Sequence, residues 1–284
     1  MSGDKKVDRL DGLVAELELL LETDLEKTIL IGATKAIKDA ANPLRINNFS
    51  SNCREIITKV LHRLGPNEEV KNCTWYKPDA NANGNPTRAQ RIGYAIHGGL
   101  DPARIEEEFN DDLPRTKKCI IDSYDELSAF THMSAENVGI DDRENSFACD
   151  VLSSIINLFS QIQTTREALI EETYEHIDSA VFEETVFNTV EEIDLLATHH
   201  TINGVQVEEL SDLKISAENI SVNVGGYIEV ELQWGSSSDL RRGDGATMSK
   251  SFPFSTEAQL SVTDFNNVVL SDIKIDTREW YGED

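Results

Sequence analysis

Three short stretches carry residue types that can do chemistry. "PTRAQRIGYAIHGGL", residues 86–100, sets Arg88, Arg91 and His97 on one short helix. Histidine titrates near neutrality and can move a proton either way, while arginine can hold the charge that develops on a phosphorane. Six residues separate Arg91 from His97. On an ideal helix that turns the two side chains about 120° apart, so they do not stack within one chain. "DELSAFTHMS", residues 125–134, places Asp125, Ser128 and His132 at i, i+3 and i+7 on one helix face. These are the residue types of a Ser-His-Asp triad. Such triads assemble from separate elements with the nucleophile on a tight turn, however, and the chain has no G-x-S-x-G. His132 reads more simply as a lone general acid/base or phosphate contact beside Arg91, or as a buried histidine bonded to Ser128 or Asp125. The third stretch, "SNCREIITKVLHRLG", shows Arg54, Lys59, His62 and Arg63 opposite an apolar face.

These stretches share a charge environment unlike the rest of the chain. The 284 residues carry a net charge of −26, which repels phosphate and argues against indiscriminate nucleic-acid binding. Between Arg45 and Ile105, nine Lys/Arg face five Asp/Glu, a net of +4 that leaves −30 for the remainder. A solvated helix surface balancing acidic neighbours is the competing reading of that segment. Acidic residues are so common that a D-x(n)-E-x-K nuclease pattern would arise by chance, and none is placed convincingly. His199-His200 lacks spaced partners for zinc. "RRGDG", 241–245, reads as a polar turn between strands. No P-loop, G-x-G-x-x-G or H-E-x-x-H occurs, so nucleotide hydrolysis, Rossmann chemistry and zincin proteolysis have no support. No metal-ligand cluster is identified, and dependence on Mg or Mn stays open.

The elements that must position these residues follow from periodicity. Residues 5–41 read as one long helix or a helix pair. Val7, Leu10, Val14, Leu17 and Leu21 keep a heptad-like spacing that suits a dimer seam or a bundle edge. A second helix is predicted from Ser51-Asn52, with Asn52 and Glu55 at capping-box spacing, a buried face of Cys53, Ile56, Ile57, Val60, Leu61 and Leu64, and a stop at Gly65-Pro66. Thr87 is the predicted N-cap of the Arg88–His97 helix, which Gly98-Gly99 ends. Asp101-Pro102 opens the next helix, which carries Arg104, and a further helix covers about 116–131 with Ile120, Tyr124 and Leu127 inward. Two amphipathic helices fill about 146–198, interrupted near Gln163-Thr164-Thr165.

After His199-His200 the period changes to two. "GYIEVELQW" alternates strictly, and "LKISA", "ISVNV", "EAQLSVTDF" and "VVLSDIKI" read as further short strands. The fold class is therefore α+β: an all-α helical domain over 1–200, then a small antiparallel β-sandwich over 201–284. Neither a signal peptide nor a membrane span is expected, and the location is cytoplasmic. Cys53, Cys73, Cys119 and Cys149 form no CxxC pair and read as reduced, buried thiols.

Two resemblances sharpen this. Arg91 and His97 are similar to the loose Arg-x(4–6)-His pattern of HEPN-type ribonucleases, in which a histidine and an arginine from paired protomers cleave RNA without metal. This chain departs from it in carrying Ile92 after the arginine and Gly98-Gly99 directly after the histidine. More broadly, "SNCREIITKVLHRLGPNEEV", "WY", "PTRAQRIGYAIHGGL", "LSAFTHMS" and "LQWGSSSDLRRGDGATMSKSFPF" resemble the predicted prokaryotic PIWI-associating nucleases over about 50–255. That family is assigned to antiphage conflict systems. The resemblance points to Arg54, Glu55, Arg88, Arg91 and His132, and in the β part to Trp234, Asp239, Arg241 and Arg242. The latter set resembles a tail found on other effectors, which would make 201–284 a portable module for partners.

Two functions follow. One is a defence nuclease acting on RNA or DNA at a groove of Arg54, Lys59, Arg63, Arg88, Arg91 and Arg104, with His132 or His97 as proton carrier and Asp125 in support. The other is a non-enzymatic adaptor or regulatory subunit that recruits another protein of the same defence operon. Either could self-associate through the N-terminal helix.

Overall fold

The computed structural model describes residues 3–108, 113–131, 144–187 and 191–282. His132 lies outside the described residues. Contacts divide the chain into two compact units, Met1–Thr165 and Arg166–Asp284, the division falling inside one long helix.

The first unit is helical, as its 3.6-residue periodicity requires. The N-terminal pattern is a helix pair, α1 (Gly3–Leu20) and α2 (Asp24–Lys38). Thr23 parts them: its hydroxyl accepts from the Glu26 N–H and the Glu26 carboxylate returns to the Thr23 N–H, a capping box that starts α2 afresh. Leu10, Leu17 and Leu21 of the heptad pattern are buried within this chain, whereas Leu19, Leu25 and Ile31 are exposed.

Helix α3 (Arg45–Leu64) is the spine of the unit and packs against α2, α5 (Arg88–His97) and α7 (Leu113–Thr131). It begins at Arg45, so Asn52 sits in its interior and not at a cap. The sequence places the start too late because Leu44 caps through no side chain, leaving no polar signal there. Cys53, Ile56, Ile57, Val60 and Leu61 are buried as expected. Short helices α4 (Asn67–Asn72) and α6 (Pro102–Glu108) flank α5. Cys53, Cys73 and Cys149 are buried, but Cys119 is exposed. It follows Lys117-Lys118 on the outer side of α7, so its apolar neighbours Ile120 and Ile121 misdirect the sequence reading.

Helix α8 (Glu144–Phe187) runs without the interruption expected near Gln163. No Gly or Pro falls within it, and Thr165 turns its hydroxyl back onto the Gln161 carbonyl at 3.0 Å instead of opening the ladder. Within the second unit, α8 is followed by the short α9 (Glu191–Asp194) and then by the sheet.

The sheet is antiparallel, but it is one sheet among the described residues, where the sequence reads as a sandwich of two. Its strands β1 (His199–Ile215), β2 (Asn219–Trp234), β3 (Ala246–Ser261) and β4 (Asp264–Leu270) form a meander, with β5 (Lys274–Ile275) pairing β3. Long strands explain the difference. "ISVNV" and "GYIEVELQW" are halves of β2, because even-numbered residues from Ile220 to Leu232 keep one buried face straight through Gly225-Gly226. Gly226 is needed there, since a Cβ would stand 2.0 Å from the Gln206 carbonyl oxygen and 2.8 Å from the Phe254 ring. Alternation does not mark 199–212, because three register shifts break the period in β1. Residues that precede the sheet in the same unit meet it: the Tyr174 hydroxyl donates to the Val207 carbonyl at 2.8 Å, and the Trp234 indole to the Leu196 carbonyl at 3.2 Å.

Candidate functional site

Helix α5 is short, carries four polar side chains, and is nonetheless buried from Arg91 to His97. Thr87 caps it as expected, accepting from Gln90 N–H while the Gln90 side chain accepts from Thr87 N–H at 2.8 Å. Gly98 ends it at φ +56°, a conformation that L side chains rarely adopt. Its first turn meets the C-terminal end of α3 at Gly65, where an added Cβ would lie 3.1 Å from the Arg91 Cα. That approach lets the Arg91 guanidinium donate to the Gly65 carbonyl and to the Asn67 side-chain oxygen. Arg91 is thus buried and engaged in closing α3 onto α5, with burial lowering its pKa.

His97 is fully buried at the other end of α5. Its ring lies edge-on to Trp75 at 5.2 Å between centroids, and neither ring nitrogen has a partner among the described residues. Burial first, and then the Lys117 ammonium, push its pKa down to about 4, against backbone carbonyls that raise it. Gly93 makes room for this pair: an added Cβ would be 3.1 Å from both His97 Nε2 and Lys117 Nζ.

On the Arg91 side, α3, the loop 77–87, α5 and α7 line a cleft of about 400 Å³. Thr58, His62, Asn81, Arg88, Arg91 and Tyr124 line it. Arg88 is exposed and places its guanidinium carbon over the Tyr124 ring, 3.5 Å from the centroid. Arg54 approaches the same ring at 5.2 Å, donating from Nη2 to the Tyr124 hydroxyl at 3.3 Å and from Nη1 to the Thr131 hydroxyl at 2.8 Å. Burial raises the Tyr124 pKa, but hydrogen bonds from Arg54 and Thr58 and the charges of Arg88 and Arg54 together bring it below the ordinary phenol value. His62, exposed at the rim, has its pKa lowered by burial and by the charges of Arg91 and Lys59.

The remaining sequence candidates fall elsewhere. Lys59 pairs with Glu55 at 3.0 Å on the surface of α3. Arg63 turns away to α2, donating to the buried Glu26 carboxylate at 3.0 Å and pairing with Glu22 at 2.8 Å. Arg104 is half-buried on α6. Asp125 is exposed on α7, and Ser128 donates to the Tyr124 carbonyl at 2.8 Å, so these two face no common centre.

In the second unit, α10 (Ser237–Arg242) joins β2 to β3. Asp239 closes a capping box with Ser236 and accepts from Arg242 at 2.5 Å, and these contacts lower its pKa. Arg241 donates to the Ser237 carbonyl at 3.2 Å, and Trp234 stacks on Trp280 at 6.1 Å. No group of three or more His, Cys, Asp or Glu able to hold a metal ion occurs among the described residues.

Among these cleft residues, Thr58, His62, Asn81 and Tyr124 are not site candidates in the sequence reading. Tyr124 reads as core from its spacing, and only the two arginines brought from other helices distinguish it.

A helical unit with an arginine–tyrosine cleft and a separate antiparallel sheet unit define the class. A family model described as "Predicted pPIWI-associating nuclease" matches residues 18–159, and a second with the same description matches 162–281. The chain belongs to that family. No curated protein and no solved structure matches it. No helix among the described residues is long and apolar enough to cross a membrane.

Proposed function

We propose that this protein is a nuclease and that the Arg54–Tyr124–Arg88 cleft takes the phosphodiester of its RNA or DNA substrate. The single observation that supports this most is the convergence of Arg54 and Arg88, from two other helices, on Tyr124, with Arg88 and Tyr124 lining one open cavity. Arg88 and Arg54 neutralise the phosphate and hold charge that builds on its oxygens. His62, kept neutral near pH 7, removes the proton of the attacking hydroxyl, from water or a ribose 2′-OH. Tyr124, acidified by its two guanidiniums, donates its proton to the leaving oxygen as the P–O bond breaks. His132 directly follows Thr131, the residue that holds Arg54, and is the second proton carrier to test.

A second reading, the non-enzymatic adaptor, draws on the Trp234–Arg242 connection. That segment satisfies its own polar groups and presents Arg242 to solvent, as a docking module for another defence protein would. Labelled RNA and DNA incubated with pure protein, in EDTA and with added Mg²⁺ or Mn²⁺, separate the two. The nuclease reading expects cleavage in at least one condition and its loss, with folding intact, in His62→Ala. Cleavage by no condition supports the adaptor, and cleavage untouched in His62→Ala moves the proton carrier to His132.

A further inference from the structure

We infer that the Arg88–Tyr124 pair is a platform for an unstacked base, so that the substrate is single-stranded and enters the cleft one nucleotide at a time. This rests on the nuclease reading above and names the substrate class of the same site.

Four observations carry it. The Arg88 guanidinium lies 3.5 Å over the Tyr124 centroid, and this exposed arginine and the ring beneath it both line the cavity. Free bases stack on guanidinium planes and aromatic rings alike, whereas bases within a duplex have both faces covered. The cavity is about 400 Å³, the scale of a single small ligand, while a duplex presents a major groove about 12 Å wide. Asn81 on the loop side of the cleft offers both an amide donor and an acceptor to a base edge. Charge adds a third restriction. With −26 on the whole chain, the extended surface contact of a duplex meets net repulsion. One extruded nucleotide needs only the arginines of the cleft.

The test uses the full chain and fluorescence anisotropy in EDTA, with gels confirming that strands stay intact. The probes are a mixed-sequence single strand of RNA, its DNA counterpart, each annealed to its complement, and a DNA strand of equal length with abasic sites throughout. Expected are at least about tenfold tighter binding of the single strands than of the duplexes and of the abasic strand, in line with base–aromatic stacking. Arg88→Lys keeps the charge and removes the planar face. It should bring the base-bearing strand to the abasic level and leave the abasic strand unchanged, while Tyr124→Phe, which keeps the ring, should still discriminate. Equal binding of duplex or abasic strand, or an Arg88→Lys protein indistinguishable from the parent, overturns the inference and leaves the nuclease reading standing. Absence of binding to every probe overturns both.

Discussion

Replacing His97 should make the protein more acid-tolerant. The ring is fully buried, edge-on to Trp75 and close to the Lys117 ammonium on α7, whose own charge is answered by Glu106 on α6. Its pKa therefore falls from 6.5 to about 4. A folded-state pKa below the unfolded one means that the unfolded chain takes up the proton first. Stability then declines as pH falls below about 6.5 and the loss is complete below about 4. At 1.36 kcal/mol per pH unit the full effect is on the order of 3 kcal/mol, of which about 2 should be lost by pH 5. Against a typical total of about 5–15 kcal/mol this is large. The assay is urea unfolding followed by tryptophan fluorescence from pH 7.5 to pH 5, for the parent, His97→Leu and His97→Gln. Other groups titrate in the same range, so the difference between curves is the quantity that counts. The parent should lose about 2 kcal/mol more than either variant over that range. Parallel curves would refute the reasoning, and a variant that declines more steeply than the parent would invert it.

Glu26→Gln should lower stability by about 2–3 kcal/mol, because it leaves the half-buried Arg63 facing a neutral amide. Burial raises the Glu26 pKa, but Arg63 and the backbone N–H groups of Thr23 and Glu22 more than offset it. The stabilisation is therefore present above the ordinary carboxyl range and lost as pH falls through the lowered folded value, and denaturant titrations of parent and variant should converge on acidification. Thiol alkylation of the native protein should modify Cys119 alone, with Cys53, Cys73 and Cys149 labelled only after unfolding. Mass-spectrometric mapping reads this directly, and rapid labelling of Cys73, whose pKa burial pushes up to about 12, would contradict the packing at the end of α5.

Legibility followed the range of the signal. Local signals carried well: the Thr87 cap, the Gly98 stop, the buried side of α3 and the order of helices before antiparallel strands all come from residues within a turn or two of each other. Non-local geometry did not carry. Arg88 and Arg91 look equivalent in sequence, three residues apart on one helix. Only the approach of Gly65 decides that Arg91 is held by backbone and Asn67 while Arg88 is free to lie over Tyr124. Arg63 reads as a groove residue until Glu26, 37 positions earlier, is found buried beneath it. The length of β2 was missed for a related reason. Gly225-Gly226 signals a turn in isolation, and the close passage of β1 over Gly226 is what makes glycine obligatory inside a strand.

The central claim is that nucleic acid enters the cleft of the first unit, and photo-crosslinking tests it most directly. A 4-thiouridine-substituted single strand, irradiated with the full-length protein and followed by peptide mapping, should place adducts on Tyr124 or within 77–91. Arg88→Gln should reduce their yield without lowering the melting temperature. Adducts confined to 199–282, or a yield unaffected by loss of Arg88, would contradict the account.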